Sequence, residues 1–147
     1  MKQKINKISI FPYINNVRVY YEDTDSGGVV YHSNYLKFAE RARTEMLRKI
    51  NIEQNKLKLN YDIQFIVKKL NIEYNKPAKL DDLIKIESSI LQLAAAKIIM
   101  EQIMYKKNDL IAKINLTLGS INSSGRPVRL PLKIFNKLKS NLIKLEH

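Results

Sequence analysis

The chain has 147 residues, which is enough for one domain to bury a core of its own. It contains no cysteine and only two histidines, which excludes disulfides, thiolate metal sites and cysteine nucleophiles and argues against a histidine-rich metal centre. We therefore expect no metal and no other cofactor. The formal net charge is +12, but the lysines are spread over every segment, so the charge alone is weak evidence for a nucleic acid or membrane partner.

The N-terminal residues 1–16 are basic and carry a few apolar side chains, without the apolar core and cleavage site of a signal peptide. No later stretch approaches the roughly 20 apolar residues of a membrane helix. We therefore predict a soluble cytoplasmic protein that forms a single domain over residues 1–147, with residues 1–13 as an N-terminal extension.

The first predicted elements are a strand, a turn and a long helix. Residues 16–22 favour a strand because β-branched and aromatic side chains cluster there. The stretch 23–34, which includes two adjacent glycines, is typical of a turn, and Ser33 or Asn34 can then cap a helix that runs to about Ile50. A broad apolar stripe predicts that this helix packs against a sheet. The stripe contains Tyr35, Phe38, Ala39, Ala42 and Met46.

The rest of the chain reads mostly as strands with short connections. Residues 96–106 are compatible with a helix by composition, but their apolar side chains also keep the period of two of a strand. A short terminal helix is expected at 132–145. This order predicts an α+β fold, an antiparallel sheet with one dominant helix on its face, and its free edges favour a dimer or a multiple of one. The four later strands are predicted at 62–75, 82–93, 96–106 and 110–121.

The densest cluster of chemically useful residues lies at 21–35. Acidic residues there precede a tight glycine turn that leads into the helix, which brings carboxylates close to the unpaired N–H groups of a helix start. Such N–H groups can stabilise a developing oxyanion, and a nearby carboxylate can attack a substrate or activate water. The alternative is that Asp25 only organises the turn and caps the helix.

A longer pattern distinguishes these alternatives. Arg18-Val19, Thr24-Asp25, Gly28-Val29-Val30 and Asn34-Tyr35, at their spacing, resemble the signature of the hotdog-fold 4-hydroxybenzoyl-CoA thioesterase family. Within that family, the chain is most similar to the YbgC-like acyl-CoA thioesterases associated with the Tol-Pal system. The resemblance continues at 41–45, 74–82 and 127–131 and so covers nearly the whole chain. It implies an antiparallel five-stranded sheet wrapped around one long helix, in a homodimer or homotetramer.

The resemblance also implies roles for individual residues. The catalytic carboxylate falls on Asp25 and not on Asp23, and it acts either as the nucleophile or as the general base for water. The backbone N–H of His32 would polarise the thioester oxygen, while its side chain either assists the reaction or only caps the helix and shapes the pocket. Glu22 and Asp23 are expected to be solvated or paired with basic neighbours. Substrate binding is assigned to Gly28, Val29, Val30, Tyr31, Asn34 and Tyr35.

The preferred function is therefore hydrolysis of acyl-CoA, with an acyl carrier protein as a second possible carrier. The alternative is a non-catalytic module that binds acyl carrier protein or an envelope complex, which the positive charge would favour. The intact Asp25 argues against that alternative. A nucleic-acid-binding role lacks a helix-turn-helix, zinc or aromatic signature, and a hotdog dehydratase would need a differently placed histidine.

Overall fold

Five strands form one antiparallel sheet in the order β1-β3-β4-β5-β2. The computed structural model describes residues 12–143, and side chains as far as residue 140. Short connections join β3, β4 and β5 as a meander, and β1 and β2 form the two edges. The strands are β1 (Tyr13–Arg18), β2 (Gln64–Tyr74), β3 (Leu83–Ala94), β4 (Lys97–Lys106) and β5 (Asp109–Ile121).

The segment with two possible interpretations, 96–106, is strand β4. Ile98, Met100, Gln102 and Met104 are buried on one face, and the residues between them are only half-buried. The period of two therefore decides this segment, because its two neighbours β3 and β5 offer hydrogen-bonding partners along its whole length.

Helix α1 (Asn34–Lys49) lies on the buried face of the sheet, as predicted. It begins directly after Ser33, whose side chain makes no capping hydrogen bond. The apolar stripe of α1 joins the inward side chains of β3, β4 and β5 in a single core. The residues of α1 buried there include Tyr35, Phe38, Ala39, Ala42 and Leu47.

Two elements differ from the prediction. The strand expected at 16–22 ends at Arg18, and Tyr21–Asp23 form a short 3-10 helix because the chain turns back on the Asp23 side chain. Helix α2 (Gln54–Tyr61) was not predicted, since Leu57 is its only buried residue and it therefore lacks an apolar stripe.

The chain termini are described only in part. Helix α3 (Leu132–Ile143) matches the expected terminal helix, and residues 144–147 lie outside the described residues. Residues 1–11 of the expected N-terminal extension also lie outside them, while Tyr13 is the first residue of β1. Within residues 12–143, no helix is long and apolar enough to cross a membrane.

Candidate active site

Asp25 lies in a tight turn between β1 and α1. The Asp25 N–H donates to the Val29 carbonyl at 2.9 Å, and the Gly28 N–H donates to the Asp25 carbonyl at 3.0 Å. Gly28 has a φ of 79°, in the left-handed region that glycine adopts without strain. The Asp25 side chain is exposed, and its Oδ1 accepts the Gly27 N–H at 2.8 Å. Its Oδ2 has no hydrogen-bond partner among the described residues and is open to a substrate.

Asp23 is buried, with only 6% of its surface exposed. Its Oδ2 accepts the Tyr20 N–H at 2.8 Å, and its Oδ1 accepts the side-chain amide of Asn34 at 3.0 Å. Its carbonyl oxygen accepts the Tyr31 N–H at 2.9 Å. The prediction that Asp23 is solvated or paired with a basic neighbour is therefore wrong. Glu22, by contrast, is exposed.

The start of α1 presents His32 beside this turn. The His32 side chain is exposed, and its ring lies 4.4 Å from the Tyr31 ring between centroids. The Asn34 N–H donates to the Tyr31 carbonyl at 2.8 Å, whereas the His32 N–H makes no hydrogen bond within the described part of the chain. A free N–H at the positive end of a helix dipole can stabilise an oxyanion.

Residues 74–82, from the last residue of β2 to the residue before β3, form a wall behind the turn. The Val30 N–H donates to the Ala78 carbonyl at 2.8 Å, and the Ala78 N–H donates to the Tyr35 hydroxyl at 3.0 Å. The Tyr74 hydroxyl donates to the His32 carbonyl at 2.9 Å. Burial raises the pKa of Tyr35, although the hydrogen bond from Ala78 acts in the opposite direction. Tyr35 therefore stays a neutral phenol and serves as an anchor.

Asp82 holds this wall in place. Its Oδ2 accepts the Lys79 N–H at 2.8 Å, and its Oδ1 lies 2.9 Å from the Lys106 ammonium. Lys79 in turn forms an isolated antiparallel bridge with Val29 in the turn. Burial by itself raises the pKa of Asp82, but the Lys106 ammonium and the Lys79 N–H outweigh it, so the pKa lies below its ordinary value.

The predicted site residues all lie in the turn and in the first residues of α1, but they differ in exposure. Gly28 and Tyr31 are exposed and Val29 is half-buried, whereas Val30 and Tyr35 are buried and support the turn from behind. The Asn34 amide is engaged by Asp23. Tyr74, Ala78 and Asp82 had no role predicted from the sequence, although the resemblance at 74–82 marked that segment.

Across residues 12–143, no group of three or more histidine or carboxylate side chains is close enough to hold a metal ion.

Comparison with known proteins identifies the family. The model of the thioesterase-like superfamily matches residues 19–141. The chain belongs to this superfamily. The matched range includes the turn with Asp25, the start of α1 and the wall at 74–82, so the superfamily match covers every part of the site described above.

Individual relatives are similar over almost their full length. The acyl-CoA thioesterase YbgC of Haemophilus influenzae is 42% identical over 127 residues, which cover 84% of this chain and 93% of the relative. The acyl-CoA thioester hydrolase YbgC of Escherichia coli O6:H1 is 39% identical over 125 residues, which cover 84% and 92%. The crystal structure of a probable thioesterase from Bartonella henselae is 34% identical with a TM-score of 0.79, covering 82% of this chain and 99% of that one. The YbgC-like resemblance and the hotdog fold are thereby confirmed.

Proposed function

We propose that this protein is an acyl-CoA thioesterase and that Asp25 is its catalytic carboxylate. The observation that carries the proposal is the presence of an exposed carboxylate oxygen and an unbonded backbone N–H just before α1. Asp25 Oδ2 and the His32 N–H lie at the two ends of one turn and are both without a partner among the described residues. Thioester hydrolysis needs an oxygen that attacks or activates water and a donor that stabilises the oxyanion.

Two routes use this geometry. In the first, Asp25 Oδ2 bonds to the thioester carbonyl carbon, the C–S bond breaks, and water then hydrolyses the resulting anhydride and restores the carboxylate. In the second, Asp25 takes a proton from water while the water oxygen bonds to the carbon and the C–S bond breaks. In both, the thiolate leaves and takes up a proton, and the exposed His32 imidazole is the nearby group suited to exchange one.

The substrate class rests on the relatives. Those from Haemophilus influenzae and Escherichia coli are named for acyl-CoA hydrolysis, and we extend that substrate class to this chain. We also retain an acyl carrier protein as a second carrier, because a net charge of +12 would favour an acidic partner. We further propose that residues 1–147 form a single cytoplasmic domain.

A homodimer or homotetramer is part of this proposal. Strand β2 is 11 residues long and lies at an edge of the sheet, with Val67 and Tyr74 about half exposed. A long free edge with apolar side chains can pair with a second copy. Light scattering during size-exclusion chromatography measures the mass, and a monomer at micromolar concentration would contradict this part of the proposal.

The test is hydrolysis of acyl-CoA by the purified protein, followed by thiol release across short to long acyl chains. Asp25→Asn keeps the acceptor for the Gly27 N–H but removes the carboxylate, so we expect kcat to fall by at least about 10²-fold. The matched control is Asp81→Asn, for which we expect kcat within about twofold of wild type. Asp81 belongs to the wall, but its exposed carboxylate makes no hydrogen bond or ion pair within the described residues. Absence of turnover by a folded wild-type oligomer on every chain length would favour the non-catalytic binding module instead.

A further inference from the structure

We propose that Asp23 and Asn34 form a positioning pair that fixes the direction of the His32 N–H relative to Asp25. This inference rests on the function proposed above. Neither side chain needs to contact the substrate. The pair acts through the backbone of the turn and of the first residues of α1.

The surroundings of Asp23 are built for a carboxylate and contain only neutral donors. Its two carboxylate oxygens accept from the Tyr20 N–H and from the Asn34 amide. No lysine or arginine in the described part of the chain forms an ion pair with it. A carboxylate is the side chain that only accepts, so it matches two donors at once. Burying it costs desolvation energy, which indicates that its position matters.

Main-chain groups of Asp23 and Asn34 hold Tyr31 at its N–H and at its carbonyl. The Tyr31 N–H donates to the Asp23 carbonyl at 2.9 Å, and the Tyr31 carbonyl accepts the Asn34 N–H at 2.8 Å. All peptides in the described residues are trans, so the C=O and N–H of one peptide point in opposite directions. Fixing the Tyr31 carbonyl toward Asn34 therefore fixes the His32 N–H in the opposite direction, away from the helix.

The same residue also sets the start of the turn that carries Asp25. Asp23 is separated from Asp25 only by Thr24, which forms an isolated bridge with Val30 across the turn. Asp23 thus connects the backbone that precedes Asp25 with the backbone that carries the oxyanion donor, the His32 N–H. A displacement of about 1 Å between two such groups can cost on the order of 10²-fold in rate.

The hydrogen bond between Asn34 and Asp23 changes the role expected for Asn34. Its Nδ2 donates one of its two N–H groups to Asp23, so the side chain is turned toward this buried carboxylate. Asn34 is also the first residue of α1, where its main-chain N–H donates to the Tyr31 carbonyl and its side chain donates to the Asp23 carboxylate. We therefore infer that Asn34 affects catalysis by positioning and not by binding.

The test is a double-mutant cycle that exchanges the two side chains. Asp23→Asn places an amide NH₂ against a second donor, and Asn34→Asp places two carboxylates against each other. The double variant restores complementary groups, because the amide introduced at position 23 can accept the Tyr20 N–H and donate to the carboxylate introduced at position 34. We expect each single variant to lose about 10²-fold in kcat with KM within about threefold, and the double variant to return to within about tenfold of wild type.

Melting temperatures of all four proteins separate positioning from folding. Single variants that melt earlier but keep the kcat of the wild type would overturn the proposal, and so would a double variant no better than the product of the singles. If a single variant does not fold, Asn34→Ala removes the donor without repulsion and is compared with Ser33→Ala, whose side chain makes no capping hydrogen bond. An equal kcat for these two variants would also overturn it. A wild-type protein without turnover would instead overturn the proposed function on which the inference rests.

Discussion

Two of the polar contacts that attach helix α1 to the rest of the molecule involve buried groups of opposite charge. At its first residue, Asn34 donates to the buried carboxylate of Asp23. At its middle, the Arg43 guanidinium donates to Gln102 Oε1 at 3.0 Å, and Gln102 Nε2 donates to Ser88 Oγ at 3.0 Å. The charged group of each contact is buried, with Asp23 6% and Arg43 8% exposed, and Gln102 is completely buried.

The two contacts differ in what they hold. The first lies among the backbone groups of the candidate site, whereas the second lies nine residues further along the helix (34 to 43), roughly 13 Å away, between α1 and the sheet. Burial lowers the pKa of the Arg43 guanidinium and outweighs the negative charge of Glu40, which acts in the opposite direction. We conclude that the contact at the helix start sets the direction of reacting groups, while the central contact contributes to packing and stability.

The largest expected effect is on the central contact. Arg43→Ala leaves Gln102 Oε1 without its donor and opens a cavity, so we expect the free energy of unfolding to fall by about 3 kcal/mol. The kcat of the molecules that remain folded should stay within about threefold of wild type, because roughly 13 Å of helix separates Arg43 from the turn. Urea unfolding at one protein concentration and kcat measured without denaturant check the two statements.

The control for Arg43 is Arg41→Ala on the exposed side of the same helix. We expect a change in unfolding free energy within about 0.5 kcal/mol. A loss of kcat in Arg43→Ala that exceeds the loss in an active-site variant would break the distinction between the two contacts.

The intermediate effect concerns Asp82, a carboxylate in the wall of the candidate site that forms an ion pair with Lys106. Asp82→Asn turns an amide nitrogen toward Lys106, and we expect a loss of about 1.5 kcal/mol in unfolding free energy at pH 7. Because the pKa of Asp82 in the folded protein is below the ordinary value of 3.8, its contribution is complete above that pH and is lost as the pH falls further. The stability difference between variant and wild type should therefore shrink below about pH 4.

Denaturant unfolding at several pH values between neutral and acid measures how this stability difference depends on pH. Asp81→Asn is the neighbouring control, because Asp81 is exposed and its side chain has no ion pair within residues 12–143. A stability difference for Asp82→Asn that stays constant through acid pH would show that the charge of this residue does not matter.

The smallest expected effects separate the two adjacent glycines. Alanine at Gly28 would meet no atom within 4 Å but must adopt a φ of 79°, so we expect Gly28→Ala to cost about 1 kcal/mol of unfolding free energy. Alanine at Gly27 would lie 3.2 Å from Asp25 Oδ1. Gly27→Ala should therefore leave stability nearly unchanged and lower kcat roughly fivefold by displacing that oxygen. Thermal unfolding and kcat of both variants test this, and the reverse pattern would contradict it.

The sequence was most informative where one periodicity runs through a whole element. The apolar stripe of α1 and the alternation in β4 both predicted their elements, because these side chains face a single core. Helix α2 lacks such a stripe and was missed. The position of Asp25 in a turn before α1 also followed from local sequence, because the adjacent glycines and the helix start are close neighbours along the chain.

The burial of Asp23 and the wall behind the site could not be predicted in the same way. Asp23 and Asp25 have the same side chain two positions apart, and only the fold decides that one faces Asn34 and the other faces solvent. The contacts of Tyr74 and Ala78 with the site depend on how β2 and β3 are placed beside the turn, which no local pattern records.

The sequence separations in the site have a consequence for how it assembles. Asp23 and Asn34 are 11 positions apart, whereas the Tyr74 hydroxyl reaches across 42 positions to His32. Closing a longer loop costs more entropy, and contacts between distant residues form later in folding. During synthesis, the turn and the start of α1 leave the ribosome well before their wall. When the chain refolds, we therefore expect hydrolytic activity to recover late, after most of the helical structure has formed.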